Sequence, residues 1–245
     1  YVATGTGVLQ KQYVEIESGG SIGAITPVRP ENVRIVDGGR HVLAAGMINA
    51  HDHLSYDHNI PYFVRADGRF NSRRDWGGGC RGYKRMPRHK TDRPEHLILS
   101  ELRQVAAGMT GNIGNGGYKG FLRNFGDGSN EGLVLPRAVW NDTFPLKNNV
   151  GCEHMPASGT DYPFHPVGNP ETVYIIHVAE GKDAVARNEF VNVSSGETDI
   201  LDSATGLVHA VALLERDVRK IAEAKATVVW SPRSNLTLYL SLIHI

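Results

Sequence analysis

Histidines close three apolar segments, and their spacing limits the folds open to this chain. His177 and His209 each end an apolar run and lie 32 residues apart, about the length of one strand-helix-strand unit. His51 ends an earlier apolar run 126 residues before His177, which is close to four such units. If His51 ends a first strand, His177 ends the fifth and His209 the sixth. The carboxyl ends of the strands in an eight-stranded β/α barrel share one face, so the spacing predicts a barrel with histidines gathered at that face.

The segments between the histidines alternate as an α/β protein requires. Continuous apolar runs predict buried strands, and runs with a 3.6-residue period predict helices. Their alternation indicates a parallel sheet with helices outside. The predicted strands are 42–50, 110–113, 133–140, 173–177, 207–209 and 227–230, and the predicted helices are 94–106, 183–191 and 213–224.

Residues 1–42 follow a different pattern, in which short strand-like runs at 13–16, 22–25 and 33–36 are separated by Gly and Asp-Gly turns. This pattern predicts a small β layer, interpreted as part of an N-terminal β-sandwich that precedes a barrel domain at 43–239. Both ends of the chain look cut, and we expect residues 240–245 to be a non-native tail.

Composition gives no sign of a nucleic-acid or membrane partner. Lys plus Arg and Asp plus Glu number 26 each, so the formal charge is zero. No apolar run approaches the roughly 20 residues of a membrane span, and we expect a protein that is not exported. The two cysteines, Cys80 and Cys152, are too few for a disulfide framework, which favours a reducing, cytoplasmic setting.

Residues 55–93 look irregular, and the stretch 65–93 is rich in arginine. Such a loop either meets an anionic or carbonyl-rich substrate or forms a solvated loop or oligomer contact. It also supports a non-enzymatic alternative, a binding protein that uses the Arg-rich 65–93 loop for an anionic or nucleic-acid partner. The balanced overall charge argues against that alternative. The glycine-rich run at 114–117 lacks the spacing of phosphate-binding motifs and is interpreted as a loop.

The triplet His51-Asp52-His53 provides half of a metal site. Residues i and i+2 of a strand point to the same side, so His51 and His53 direct two imidazoles at one point. Two neutral imidazoles suit zinc or a similar divalent ion, and a catalytic site needs further ligands and an open position. Alone the triplet is weak evidence, since His-x-His also occurs on surface strands.

Four segments together resemble successive signatures of the amidohydrolase superfamily. They are INAHDHL at 48–54, HVAEG at 177–181, VHAVAL at 208–213 and WSPRSNL at 230–236. They most resemble the mononuclear aminohydrolase branch, which includes guanine, cytosine and adenosine-type deaminases and the triazine hydrolases. The resemblance covers about residues 20–239, and one departure is Ala45, where the family usually has proline.

The resemblance implies a metal site and two catalytic groups. His51, His53 and His177 would hold one divalent ion, most often zinc, with iron as the alternative, and such an ion lowers the pKa of bound water to about 7. Glu180 would pass a proton to the leaving nitrogen, and His209 would hydrogen-bond either the attacked oxygen or the metal-bound water.

Ser234 and Asn235 either brace the site or the substrate, or simply form the turn after strand seven. The predicted strand 133–140 contains no lysine to bridge two metals, which favours a single ion.

The predicted function is hydrolysis of carbon–nitrogen bonds other than peptide bonds, of the deaminase type. The alternative within enzymes is an amidase or an imidazolonepropionase-like cyclic amidohydrolase. The expected partner is a small molecule, an amino-heterocycle or an amide, with a homo-oligomer left open. The family closes its site with an aspartate on strand eight that no residue here matches. We therefore expect an incomplete barrel without strand eight, and a 245-residue chain that is poorly stable and inactive.

Overall fold

The computed structural model describes residues 1–60, 69–114, 117–118, 120–125, 138–142, 152, 172–196 and 199–240. The strands are β1 (Val2–Thr4), β2 (Gly7–Leu9), β3 (Tyr13–Ile16), β4 (Ile22–Thr26), β5 (Met47–Asp52), β6 (Met109–Gly114), β7 (Arg123–Asn124), β8 (Ala138–Asp142), β9 (Thr172–Val178), β10 (Thr205–His209) and β11 (Thr227–Val229). The helices are α1 (Arg73–Gly78), α2 (Pro94–Ala106), α3 (Ala184–Val193), α4 (Glu215–Ala224) and α5 (Pro232–Ser234), which continues into the π-helical turn Asn235–Tyr239.

Two parallel sheets carry the part of the fold that matters for the site. One has the order β5-β6-β7 and the other β11-β10-β9-β8, and every neighbouring pair in both is parallel. Within the described ranges these make seven parallel strands in chain order. His51 lies on the first, His177 on the fifth and His209 on the sixth, which are the positions that the histidine spacing predicts. The predicted α/β class with parallel strands is confirmed.

The hydrophobic core lies between the four-stranded sheet and its helices. Tyr174, Ile176 and Val178 of β9 pack with Leu207 of β10, while α3 and α4 cover them with residues such as Phe190. Every residue of β10 is buried, as expected of a strand with helices on one side and neighbouring strands on both edges. Such burial stabilises the fold by about 1.5–3 kcal/mol for each large aliphatic side chain.

The N-terminal region contains two separate hairpins. β1 pairs with β2 and β3 pairs with β4, all antiparallel, and the predicted strands at 13–16 and 22–25 are present. The prediction of a third strand at 33–36 is wrong, because these residues form no strand. Val33 and Val36 are exposed, so their apolar side chains have no layer to pack against.

The stretch predicted to be irregular contains ordered structure. We call residues 69–88 the clasp segment. Its helix α1 is capped by Ser72, whose hydroxyl accepts from the Arg74 amide, while the Asp75 carboxylate accepts from the Ser72 amide. The clasp lies against the loop after β9, where Gly181 pairs with Ser72. A Cβ on Gly181 would meet the Asn71 carbonyl oxygen at 2.4 Å, so this close approach requires glycine.

Arginines of the clasp segment form ion pairs within the protein. Arg73 pairs with Glu189 of α3 at 2.8 Å, with both side chains about 5% exposed or less. Arg81 pairs with Asp75 at 2.8 Å and with Asp183 at 2.5 Å. The pairs with Glu189 and Asp183 therefore join the clasp segment to α3 and to its N-cap residue.

Cys80 and Cys152 form a disulfide, with Cα atoms 5.2 Å apart. Two cysteines were expected to be too few for a disulfide framework, but they form a bond, so they do not favour a reducing setting. Cytoplasmic localisation therefore remains a prediction without support from the cysteines. None of the helices in the described ranges is both long enough and apolar enough to cross a membrane.

Candidate metal centre

Three imidazoles meet where β5 and β9 end. The Nε2 atom of His51 lies 3.2 Å from that of His53 and 2.8 Å from that of His177, and the last two are 3.1 Å apart. Three ring nitrogens at such distances are close enough to bind one cation. The prediction that these histidines form a group able to hold a metal ion is confirmed.

Backbone geometry at the strand ends brings these rings together. His51 and His53 lie at i and i+2 around the end of β5, as the triplet predicts. At the ends of β9 and β10 the chain takes positive φ at non-glycine residues, with +53° at Ala179, +73° at His209 and +51° at Ala210. Such conformations cost about 1–3 kcal/mol each and persist where surrounding bonds hold them. Here the amide of Ala210 donates to the Val178 carbonyl and fixes the bend.

Electrostatics keep the three imidazoles neutral. Burial, followed by the nearby His209 and His53, lowers the pKa of His51 to about 2. Burial also lowers the pKa of His53, and it lowers that of His177 well below its usual value. Neutral rings keep a lone pair on nitrogen at pH 7, which is the form that binds a metal.

The donor set fits zinc. A tetrahedral zinc ion with Zn–N bonds of about 2.0–2.1 Å separates its ligand nitrogens by about 3.3 Å. The observed separations of 2.8–3.2 Å are close to that value. Three protein ligands would leave the fourth tetrahedral position open for chemistry.

Glu180 and His209 lie side by side next to the three imidazoles. The Nε2 atom of His209 is 3.7 Å from Oε1 of Glu180, and both side chains are nearly fully buried. The His209 ring centroid lies 5.2 Å from those of His51 and His177. The structure therefore brings both proposed catalytic residues to the metal centre.

A single segment after β11 contacts three of these groups. We call residues 231–239 the brace segment. Ser231 Oγ lies 2.8 Å from Nδ1 of His51, Asn235 Oδ1 lies 2.9 Å from Nδ1 of His209, and the Tyr239 hydroxyl donates to Glu180 Oε1 at 3.0 Å. The contacting residues recur every four positions, which places them along one side of a helical segment.

The two residues that the sequence singled out in this segment have different surroundings. Asn235 is fully buried, and its amide nitrogen lies 3.5 Å from the backbone carbonyl of His209 while its Oδ1 faces the His209 ring. Ser234 donates instead to the Ser231 carbonyl within its own turn, at 3.2 Å. Asn235 therefore contacts the site, and Ser234 contacts the brace segment itself.

Sequence reasoning missed Ser231, Tyr239 and Trp76. The Trp76 indole of the clasp segment donates to the Tyr239 hydroxyl at 2.7 Å. The four-residue spacing of Ser231, Asn235 and Tyr239 was available as a signal in the sequence. The Trp76 contact had no such signal, because it joins residues 163 positions apart.

Carboxylates surround the outer side of β5. Asp52 accepts from the Asn49 and Gln104 side-chain amides at 2.8 and 2.5 Å and from the His53 backbone amide at 2.6 Å. Burial raises the pKa of Asp52, and burial followed by the Asp52 charge raises the pKa of Asp57 to about 6. Asp52 thus fixes the backbone between the two histidines of β5 through hydrogen bonds.

Comparison with known proteins gives limited information. No family model and no curated protein matches the chain. Similar solved structures include a zinc-bound adenosine deaminase from Xanthomonas campestris, with 14% identity, a TM-score of 0.39 and coverage of 94% of this chain and 60% of that one. They also include a mutant of the atrazine chlorohydrolase TrzN from Arthrobacter aurescens with zinc and atraton, with 10% identity, a TM-score of 0.45 and coverage of 97% and 65%.

The chain thus spans less than two thirds of the length of either protein. At these identities and TM-scores, neither likeness carries an argument about the chemistry of this chain.

Proposed function

We propose that this chain is a metal-dependent hydrolase that acts on carbon–nitrogen bonds other than peptide bonds, of the deaminase type. The observation that carries the proposal is the convergence of three neutral imidazoles within 3.2 Å of one another, beside a buried carboxyl and a fourth imidazole. We assign His51, His53 and His177 as ligands of one zinc ion, with Glu180 and His209 as catalytic residues. The proposed scaffold is an incomplete β/α barrel at 43–239, preceded by part of a β-sandwich at 1–42.

His51, His53 and His177 would hold the zinc ion, which when bound would supply Lewis acidity and lower the pKa of water to about 7. Glu180, next to the three rings, is placed to accept a proton from water and to donate it to the leaving nitrogen. A buried carboxyl suits this role because proton transfer inside a closed site does not compete with bulk water.

His209 is proposed to stabilise the negative charge that develops on the oxygen of the attacked group. Its Nδ1 faces Asn235 Oδ1, an atom that can only accept, so Nδ1 carries a proton. The opposite nitrogen, Nε2, is turned toward Glu180 and the three ligand rings. In the neutral ring Nε2 then has a lone pair, so His209 can stabilise a developing negative charge in the site once Nε2 is also protonated.

Two features bear on the alternatives. Three arginines of the 65–93 loop are engaged within the protein, since Arg73 and Arg74 are buried and Arg81 pairs with two aspartates, which reduces the charge available to an anionic partner. An amidase or cyclic amidohydrolase would use the same ligands, so the choice of substrate has to be made by experiment. The expected substrate is an amino-heterocycle.

The test begins with metal binding by the tag-free 245-residue chain. After dialysis against zinc, we expect about one equivalent bound per chain by elemental analysis, and at least a 100-fold loss of affinity in H177A. H89A is the matched control, because the His89 side chain is exposed and does not belong to the group of three histidines. Absence of bound zinc in the wild-type chain would overturn the proposal.

Substrate class is tested by calorimetry with the zinc-loaded and metal-free chains. Amino-heterocycles are expected to bind only the zinc-loaded chain, and any ammonia they release should be lost in E180Q. Binding of cyclic amides in place of amino-heterocycles would favour the alternative hydrolase. Zinc-independent binding of nucleic acid, weakened by salt, would instead support the binding protein.

A further inference from the structure

We propose that Tyr239 is a positioning residue for Glu180: its hydroxyl, oriented by the Trp76 indole, holds Oε1 of Glu180 and leaves Oε2 as the oxygen that transfers the proton. The assignment of a catalytic role to Glu180 rests on the proposed function. The hydrogen bonds themselves do not, so the two can be tested separately.

The types of donor and acceptor fix the direction of the two hydrogen bonds that join Trp76, Tyr239 and Glu180. An indole N–H can only donate, so the bond of 2.7 Å from Trp76 makes the Tyr239 oxygen the acceptor. The Tyr239 hydroxyl proton is then free to point at Glu180 Oε1, 3.0 Å away. Burial, followed by the Glu180 charge, raises the pKa of Tyr239 well above its usual value, so the hydroxyl remains protonated at neutral pH. Trp76 therefore donates to Tyr239, and Tyr239 donates to Glu180.

The position of Tyr239 is set by contacts on both sides. Its ring packs in a cluster with Phe70 and Leu238, and the Phe70 amide donates to the Leu238 carbonyl at 3.1 Å. Arg69 donates to the carbonyls of Leu236 and Thr237 at 2.6 Å each. With backbone and ring both fastened to the clasp segment, the Tyr239 hydroxyl has little freedom to leave Glu180.

The same contacts decide which carboxyl oxygen is available. Oε1 accepts a hydrogen bond from the Tyr239 hydroxyl and lies 3.7 Å from Nε2 of His209. A carboxyl oxygen engaged by a hydrogen-bond donor is a poorer base, so the transferred proton is carried on Oε2. Tyr239 thereby fixes both the rotamer of Glu180 and the oxygen that it uses.

The decisive experiment measures the Glu180 carboxyl directly in the metal-free chain. The protein is labelled with [5-13C]glutamate, and the Glu180 resonance is assigned by its loss in E180Q. In Y239F we expect this resonance to shift, because its donor is removed, while that of Glu189 stays in place. W76F is expected to shift it less, since the indole acts through Tyr239.

The matched control is Y83F. Tyr83 packs against Phe70 in the same cluster, and its hydroxyl donates to the backbone carbonyl of Arg69, not to Glu180. Removal of this hydroxyl perturbs the packing similarly and should leave the Glu180 resonance unchanged. A Glu180 signal that stays in place in both Y239F and W76F would overturn the proposal, as would an equal shift in Y83F.

The Trp76 hydrogen bond offers a second readout that is useful if Y239F folds poorly. Ultraviolet resonance Raman spectra report hydrogen bonding of the indole N–H, and W76F identifies the Trp76 contribution. We expect that contribution to indicate a bonded indole in the wild-type chain and in Y83F. An indole N–H without a hydrogen bond in the wild-type chain would show that Trp76 does not donate to Tyr239 and would overturn the proposal. Zinc affinity is measured in parallel and should be unchanged in Y239F, so a failure of the metal site is distinguished from a failure of this proposal.

Discussion

His51 and His53 sit at the end of β5, an edge strand of its sheet among the described residues, whereas His177 and His209 end the two central strands β9 and β10. On β5, Met47 and Ile48 are 53% and 57% exposed. By contrast, the strands behind the other two histidines are buried along nearly their whole length. We call the β5 end the first half-site and the ends of β9 and β10, with Glu180, the second half-site.

This difference in burial indicates that the two half-sites are held in place by different contacts. The second half-site is held by the core, the clasp segment and the brace segment, so its groups are positioned before any ligand binds. The first half-site is held mainly by the Asp52 hydrogen bonds and by the contact between His51 and Ser231. A bound ion should therefore stabilise the protein chiefly by tying the first half-site to the second.

The largest effect is expected in the ion pair that fastens the second half-site. R73A leaves the buried Glu189 carboxylate without its arginine, and we expect a loss of about 3–5 kcal/mol in the free energy of unfolding. Urea titration followed by circular dichroism measures this loss. R219A breaks the exposed pair with Glu215 and should cost at most about 0.5 kcal/mol. Similar costs for the two variants would remove the difference in burial on which the comparison rests.

Truncation of one aliphatic side chain on each side compares the half-sites directly. L207A removes a fully buried side chain from β10 and should cost about 2–5 kcal/mol. I48A shortens a side chain that is mostly exposed on β5 and should cost less than about 1 kcal/mol. The same urea titrations measure both values. A larger cost for I48A than for L207A would reverse the comparison.

Zinc should raise thermal stability by joining the half-sites. At a free concentration 100 times the dissociation constant, the expected gain is about 2.7 kcal/mol. For a chain of this size that corresponds to a rise in Tm of about 5–10 °C. Differential scanning calorimetry with zinc and with a chelator measures the shift, which should vanish in H177A and persist in H89A. An equal rise in H177A would show that the ion binds elsewhere.

The smallest effect concerns the carboxylates next to the first half-site. Because the folded-state pKa of Asp57 is raised to about 6, the folded protein holds this proton more tightly than the unfolded chain. The charged form therefore costs stability at pH 8, and this cost disappears as the pH falls below the unfolded value of 3.8. D57N should gain about 1–2 kcal/mol at pH 8 and almost nothing at pH 4. A gain that does not change with pH would contradict this assignment.

The sequence was most informative where a prediction depended on the residues at a strand end or on the interval between two strand ends. The i, i+2 spacing around Asp52 and the 32-residue interval between His177 and His209 depend only on strand geometry and on the length of a repeating unit. For the same reason the order of the parallel strands was predictable. The assignments of Glu180 and His209 came from the resemblance, and their roles stay predictions.

Contacts between distant segments were not predictable in this way. Helix α1 was not predicted because its surroundings in the sequence are rich in basic residues. The sequence does not show that Arg73 and Arg81 have acidic partners on α3 and just before it. The pairing of Cys80 with Cys152 depends on the same packing. A strand at 33–36 was expected from local alternation alone, and without a packing partner that pattern does not form a strand.

The Cys80–Cys152 bond closes a covalent ring that contains α2, β6, β7 and β8. On the chain-entropy account, a ring of this size restricts the denatured chain by about 4 kcal/mol. The ring also includes nearly half of the clasp segment, the part from Cys80 onward that follows Trp76. Purification in thiol reductants would therefore yield a chain in which the end of the clasp segment is no longer covalently joined to Cys152.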